Sequence, residues 1–504
     1  MNRKKKDPVS PEKAYLALPR HAKAIVQFLA VNVDYCRLDL LGLFLEDLRC
    51  VDAAGRRITR AGLRPIIDEL AAQGLLVQNA GGVCCAESIW RRVFCDTLTE
   101  DTYTALVQYL RQYPALVKSV SSAYAQYGNY RQILRDFHTA LFFDGSIADV
   151  RRIVYSAVFS EFNKQFYLQN PFLTFLAQPF SAAVFEKIDS SIRVEILTHI
   201  LDAAQTGLEQ SDDILAYILE NHGREAGTRI LAPSLLLHYL LCGDTDSIRH
   251  LIDKMADDDV QLEKAVWVGC LQFAMGNYSE SRELFTRANQ LLKKASGKRK
   301  VFFRSYGGIF HLLTLLDCGE AGALREALEY INFAEKNGYP LFYVMMELAP
   351  IFYEKLGLIV PERYAESIYF AQKNPTDTLL IRLFRFWTVG KIAAADIALL
   401  RQTRDDARNN GYLWLAAECS ALLAALGHDR KANSEQAAEL HASCATSSCV
   451  GIVRQQQPWE KTLHAMLHLG TGGKDKAKAA EERLIWLFGY NEEYNFCHIS
   501  PKMQ

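Results

Sequence analysis

A mostly α-helical protein is what this sequence predicts, and three observations predict it. Only 14 prolines punctuate 504 residues, mainly at segment ends, between long stretches rich in Leu, Ala, Glu and Arg, the residues that favour helix. Apolar residues recur at i, i+3, i+4 and i+7, which gathers one buried face on a 3.6-residue helix. Glycines such as Gly74 and Gly427 close these stretches, as a helix-ending turn requires. A chain this long exceeds one hydrophobic core, so two to four domains are expected.

Residues 1–18 form a basic tail containing Arg3, Lys4, Lys5 and Lys6. Three apolar stripes follow: Ala22, Ile25, Val26 and Leu29; Leu38, Leu41, Leu45 and Leu48; Leu63, Ile66, Ile67 and Leu70. Gly74 ends the third. Leu75-Leu76-Val77 and Val83-Cys84-Cys85 then flank Asn79-Ala80-Gly81-Gly82, a glycine-bearing turn between two short apolar runs and hence a hairpin. Three helices and a hairpin follow the order of a winged helix-turn-helix, assigned to 19–96. The passage from Ile58-Thr59-Arg60 through Gly74-Leu75-Leu76 resembles the recognition-helix-to-wing segment of that family. DNA-binding members place the third helix in the major groove. Here Arg56, Arg57, Arg60 and Arg64 crowd its start, with Arg91 and Arg92 near in sequence, and a guanidinium fork suits phosphate and guanine edges. Pro65 stands where that helix would already be running. Proline is tolerated in a first turn, so the helix begins near Pro65 or kinks there. Arg60 and Arg64 then fall in the preceding turn, where they suit phosphate better than bases. The other reading of the unit is a protein-docking module whose arginines are ordinary solvated charge.

Residues 97–229 continue helical. Tyr103, Tyr109, Tyr113, Tyr124, Tyr127 and Tyr130 recur at helical spacing without alternating basic residues, so they read as helix–helix filling rather than as a base-stacking platform. In 230–431, Gly269, Gly276, Asn277, Tyr278, Phe285 and Ala288 match the tetratricopeptide pattern, with Ser281 in place of the usual alanine. Small residues let the paired helices approach, and large ones fill the groove of the next repeat. Gly243 precedes Gly276 by about one repeat, Gly319 heads a weaker unit, and 413–426 looks like a further helix of the same kind. The basic run 293–300 reads as a loop between repeats. Residues 432–457 read as a linker.

Net charge is −1, so no global field draws the protein to nucleic acid or membrane, and such binding needs local patches. No apolar run reaches membrane-span length. Residues 1–7 lack the apolar region of a secretory signal. Twelve scattered cysteines read as reduced thiols in a cytoplasmic protein. Gly470-Thr471-Gly472-Gly473-Lys474-Asp475 fails phosphate-loop spacing. Glu460, His464 and His468, and His441 with Cys444 and Cys449, are incomplete metal sets. No nucleophile elbow is evident. No catalytic residue, metal or small-molecule substrate is assigned.

The carboxyl end, 458–504, reads as a short α+β segment at the threshold of a further domain. Trp459, then Arg483-Leu484-Ile485-Trp486, then Pro501-Lys502-Met503-Gln504 resemble the passage just ahead of the motor in bacterial Swi/Snf-type DEAD/DEAH-box helicases. The resemblance implies the non-catalytic amino-terminal region of an ATP-dependent DNA translocase. ATP and magnesium would belong to the motor, whose motifs are not in these residues. The expected partners are duplex DNA, held weakly, and a protein on the repeats. Two other classes remain: a self-contained transcriptional regulator with the same two modules, and an interaction scaffold without nucleic-acid binding.

Overall fold

The computed structural model describes residues 10–47, 49, 51, 56–112, 127–158, 160–177, 180–223, 225–228, 230–255, 261–339, 342–361, 364, 394–450 and 452. These are mostly helical, with one two-stranded sheet. Helix α1 (Pro11–Leu16) leads into α2 (Arg20–Asn32), which buries Ala22, Ile25, Val26 and Leu29, the predicted stripe. In α3 (Leu38–Asp47) Leu41 and Leu45 are buried, and Phe44 stacks on Phe28 of α2 with ring centroids 4.1 Å apart. Helix α4 (Arg60–Ala72) sends Leu63, Ile67 and Leu70 into the same core.

Helix α4 begins five residues before Pro65, which lies inside it. The Thr59 hydroxyl accepts a bond from the Gly62 amide at 3.4 Å, an N-cap that starts the helix early. Pro65 is exposed, so the bond it cannot donate is lost on the solvent side. Arg60 and Arg64 are therefore helical residues, which corrects their placement in a preceding turn. The hairpin forms as expected: β1 (Leu76–Asn79) pairs antiparallel with β2 (Gly82–Cys85), Asn79 opposite Gly82. Gly82, at φ +132°, lies so close to Cys36 that a Cβ would come within 2.2 Å of its carbonyl oxygen. Cys36 and Val83 exchange backbone bonds there, tying the hairpin to the segment after α2.

Helix α5 (Glu87–Thr99) packs on α1 and α2. There follow α6 (Tyr103–Gln112), α7 (Tyr130–Phe142), α8 (Ile147–Val158), α9 (Asn163–Leu168), α10 (Pro171–Leu176), α11 (Ala182–Phe185), α12 (Arg193–Gly207) and α13 (Asp212–Asn221). The aromatics of this stretch fill helix contacts. Tyr103 and Tyr130 are buried, and Tyr109 sets its edge against Phe44 at 5.0 Å; Tyr113 and Tyr124 lie outside the described residues. Fully buried His138 of α7 ties this region to the first. Its Nε2 donates to the Val31 carbonyl at 2.9 Å, which leaves Nδ1 to accept from the Tyr103 hydroxyl at 2.8 Å.

Helical hairpins come next: α14 (Ala232–Cys242) with α15 (Thr245–Lys254), α16 (Gln261–Ala274) with α17 (Tyr278–Ser296), and α18 (Ser305–Cys318) with α19 (Ala321–Lys336), then α20 (Phe342–Lys355). Helix α16 packs on α18, and α18 on α20, so successive hairpins stack. Each turn carries a left-handed glycine: Gly243, Gly276 and Gly319. After α21 (Ala394–Asn409), helix α22 (Leu413–Ala425) does more than extend the series; it packs back against α14. The stretch 432–457, expected as a linker, is helical over α23 (Arg430–Cys444), which buries Ala437, His441 and Cys444 and lies along α22. Its packed face is Asn433, Ala437, His441 and Cys444, one i, i+4, i+8, i+11 stripe, while most of its Ser and Ala residues are exposed.

The returning chain meets the carbonyl ends of α12, α14 and α16. Asn410 Nδ2 donates to Leu208 O at 2.6 Å and the Tyr412 hydroxyl to Glu209 O at 2.8 Å. The Cys444 thiol faces Cys242 O at 3.8 Å. The Ser447 amide donates to Ala274 O at 2.7 Å and its hydroxyl to Met275 O at 3.3 Å. A helix leaves its last four carbonyls without internal partners, and these side chains and amides supply some. Among the described residues no helix is long and apolar enough to cross a membrane.

Two outcomes follow from this packing. A Cβ on Gly243, at φ +73°, would stand 2.4 Å from Cys444 Sγ, whereas Gly297, at φ +64°, has nothing within 4 Å. Gly297→Ala is expected to cost about 1 kcal/mol of backbone strain, and Gly243→Ala about 2–4 kcal/mol. Equilibrium denaturation of both variants measures the difference. The second outcome concerns pH. Burial pushes the pKa of His138 and His311 down to about 3 and that of His238 to about 4. Unfolding restores these imidazoles to an ordinary value of about 6.5, so the unfolded chain takes up protons first. Stability is therefore complete above about pH 6.5 and falls as the pH drops toward these depressed values, by about 2 kcal/mol per histidine at pH 5. Urea midpoints at pH 7 and pH 5 check this.

Candidate functional site

The first candidate surface is the amino-terminal end of α4. Thr59 caps the helix and leaves its other early amides facing outward, the positive end of the macrodipole. Arg56 and Arg57 are exposed in the approach to it. Arg64 stands one turn on, its side chain 62% exposed and its Nε 3.3 Å from Asp68 Oδ1. The side chain of Arg60 lies outside the described residues. The same exposed face carries Asp68 and Glu69. Asp68 also accepts from Gln78 Nε2 of β1 at 3.1 Å, so hairpin and helix are linked through a carboxylate. The hairpin tip, Asn79 to Gly81, is exposed and carries no basic residue. A rim of guanidinium groups thus gives way along the helix to acidic and amide side chains.

The α5 arginines serve other surfaces. Arg92 turns to Asp96 at 3.3 Å and Glu12 of α1 at 3.9 Å. Arg91 is half-buried and lines a cleft between α5 and α7. Desolvation there lowers its pKa from the ordinary arginine value, against the opposing pull of the Cys95 thiol beside it.

The repeat residues have structural roles. A Cβ on Gly269 would meet the Phe285 ring at 3.1 Å, so this glycine lets α16 and α17 close on each other. Tyr278 packs on Phe273 with centroids 5.1 Å apart, and Phe285 and Ala288 are fully buried. Ser281 is buried as an alanine would be, and its hydroxyl is satisfied by Gly269 O at 2.8 Å. Gly243 and Gly276 open onto Cys444 and Ser447, so the chain itself covers this rim of the array.

His441 sits 3.3 Å from the buried Glu418 carboxylate, and its Nδ1 lies 3.0 Å from the Thr446 hydroxyl. Glu418 Oε1 also accepts the Cys449 amide at 3.0 Å. The trio His441, Cys444 and Cys449 is thereby absorbed into the α22–α23 packing, and among the described residues no group of three or more His, Cys, Asp or Glu is arranged to hold a metal. Glu460, His464, His468, Trp459, Arg483, Leu484, Trp486, Pro501 and Gln504 lie outside the described residues, as do Arg3 to Lys6.

Sequence reasoning missed a mainly apolar cleft of about 480 Å³ between the first unit and α7, lined by Asp34, Tyr35, Trp90 and Arg131 among others. Its floor is a strained turn at Val33, with φ +62° and ψ −46°. Glycine or asparagine would have flagged such a turn; valine does not.

No protein-family model matches the chain, and neither curated proteins nor solved structures gave a match.

Proposed function

We propose that this chain is a non-catalytic region that places a partner on duplex DNA. In this reading α2 to α4 and the hairpin form a winged helix that touches the phosphate backbone, while the stacked hairpins form a tetratricopeptide-like solenoid for a protein partner. The resemblance of 458–504 is to the passage ahead of a Swi/Snf-type motor, so what the region would position is that motor, the user of ATP and magnesium, while the protein on the repeats is a separate partner. The observation that carries the DNA contact is the rim of Arg56, Arg57 and Arg64 at the capped, outward-facing start of α4. The Arg64–Asp68 pair is no obstacle, since an exposed pair contributes only about 0–1 kcal/mol and a phosphate competes for the same fork. Asp68 and Glu69 would meet the negative groove directly. Contact is therefore to the backbone and indifferent to sequence.

Three phosphate contacts predict an affinity that falls with salt at a log–log slope of about −2.7. Fluorescence anisotropy with two unrelated duplexes of equal length is expected to give similar affinities. Arg57→Glu combined with Arg64→Glu is expected to weaken both by about tenfold or more; unchanged affinity would refute the rim as the contact. The purified chain alone is expected to hydrolyse no ATP, with or without DNA. Turnover that co-purifies with the protein through several chromatographic steps would contradict the non-catalytic reading.

A second reading has its own observation. Asp68, Glu69, Gln73 and Gln78 cluster on α4 and β1 and bond to one another in pairs, Gln73 to Glu69 and Gln78 to Asp68. Such a polar face suits a docking scaffold that binds no nucleic acid, and the same anisotropy experiment separates the two.

A further inference from the structure

The cleft beside Val33 goes beyond any nucleic-acid or repeat surface, and its construction is unusual. Asp34 N bonds back to Asn32 O at 2.6 Å across Val33, a γ-turn with positive φ. Such a turn is rare and strained, more so with a β-branched centre, and strain of this kind costs about 1–3 kcal/mol unless its surroundings enforce it. Here two neighbours do. The Asn32 side chain donates to Asp34 O at 2.6 Å, and Arg131 Nη1 donates to Val33 O at 3.2 Å.

Arg131 is thereby aimed. Its Nη1 also lies 3.6 Å from Cys84 Sγ, and its guanidinium sits 5.3 Å over the Tyr35 ring. The Nε and Nη2 edge, the side that grips a carboxylate or phosphate with two parallel bonds, makes no bond among the described residues. The nearby acids are engaged elsewhere. Asp34 accepts from Asn129 at 3.2 Å, from Gln132 at 3.1 Å and from the Tyr35 amide at 2.8 Å. Glu87 accepts from Gln169 at 3.4 Å. Among the described residues no carboxylate stands within ion-pair distance of Arg131. An arginine fixed by a strained carbonyl and an aromatic face, without a counter-ion, lines a cavity of about 480 Å³, within the usual range for small-ligand sites. Trp90 is held in the wall by a 2.8 Å bond from Nε1 to Ala30 O and by packing on Phe94 and Phe175, and it also lines the cleft. Gln165 stands exposed at the mouth.

We propose that this cleft binds a small anion carrying a planar ring, with the charged group on the free edge of Arg131 and the ring between Tyr35 and Trp90. A nucleoside monophosphate and an aromatic carboxylate share that chemistry. Isothermal titration of the 504-residue protein distinguishes them, using the four ribonucleoside monophosphates, 4-hydroxybenzoate, inorganic phosphate and uncharged adenosine as probes. One of the two charged, planar classes is expected to bind, with phosphate and adenosine weaker by about tenfold or more. Arg131→Gln is expected to reduce that affinity by about tenfold or more, and Arg131→Lys to restore only part of it, because the charge returns without the fork. Should Arg131→Gln fail to fold, Gln165→Trp blocks the mouth from an exposed position and is expected to abolish binding. No binding by any charged planar probe would overturn the proposal. So would wild-type affinity in Arg131→Gln or Gln165→Trp, or phosphate alone binding as tightly as the best probe.

Discussion

The carbonyl ends of α12, α14 and α16 turn toward one side of the molecule, and a single later stretch of chain, 410–447, meets all three. A helix leaves its last carbonyls without internal partners, and once the returning chain covers these three ends they need partners within the protein, because an unpaired buried carbonyl is costly. The returning segment satisfies them with an asparagine amide, a tyrosine hydroxyl, a thiol, a serine hydroxyl and a backbone amide. The glycines at 243 and 276 follow from the same meeting, since a side chain at either would occupy the space of Cys444 or Ser447. Tight turns and close approach of the later chain are one constraint, expressed twice.

The first half is held differently. There the unifying contacts are aromatic and buried: Phe28 on Phe44, Tyr103 and His138 against Phe94, and Phe94 against Phe175. His138 bonds to the last turn of α2 through Val31, two residues before the strained Val33 turn. The cleft and the aromatic core therefore share a wall, whose geometry is set by packed groups on both sides.

Local pattern was readable where burial repeats with a fixed period. The stripes of α2 and α4 and the Asn79–Gly82 hairpin needed only spacing and turn chemistry, and Gly269 announced a close helix pair. Pro65 misled because an N-cap threonine upstream outweighed it, with the lost bond on the solvent side. The stretch from 432 misled because its contact stripe of Asn433, Ala437, His441 and Cys444 contains no large apolar residue, so it lacks the Leu/Ile periodicity that marked the other helices. The return of α22 to α14 was hidden, since pairing across about 200 residues leaves no periodic trace. On the candidate surfaces, the arginines were visible in sequence but their company was not. Asp68 and Glu69 share the face of Arg64, while Arg92 belongs to Glu12 and Asp96. Val33 and Arg131 carry no signature at all, because valine is a residue that ordinarily avoids positive φ.

The contact between Cys444 and Cys242 spans 202 residues, and it bears on how the chain acquires its shape. A ribosome adds about 5–20 residues per second, so α14 is exposed for on the order of ten seconds or more before the helix that covers it exists. Through that interval the ends of α12, α14 and α16 have water or a chaperone as partners. Closure of so distant a pair also delays the final step, because non-local contacts form late and slowly. Until 410–447 has been synthesised, the flank of the hairpins that it meets can be covered only by something else.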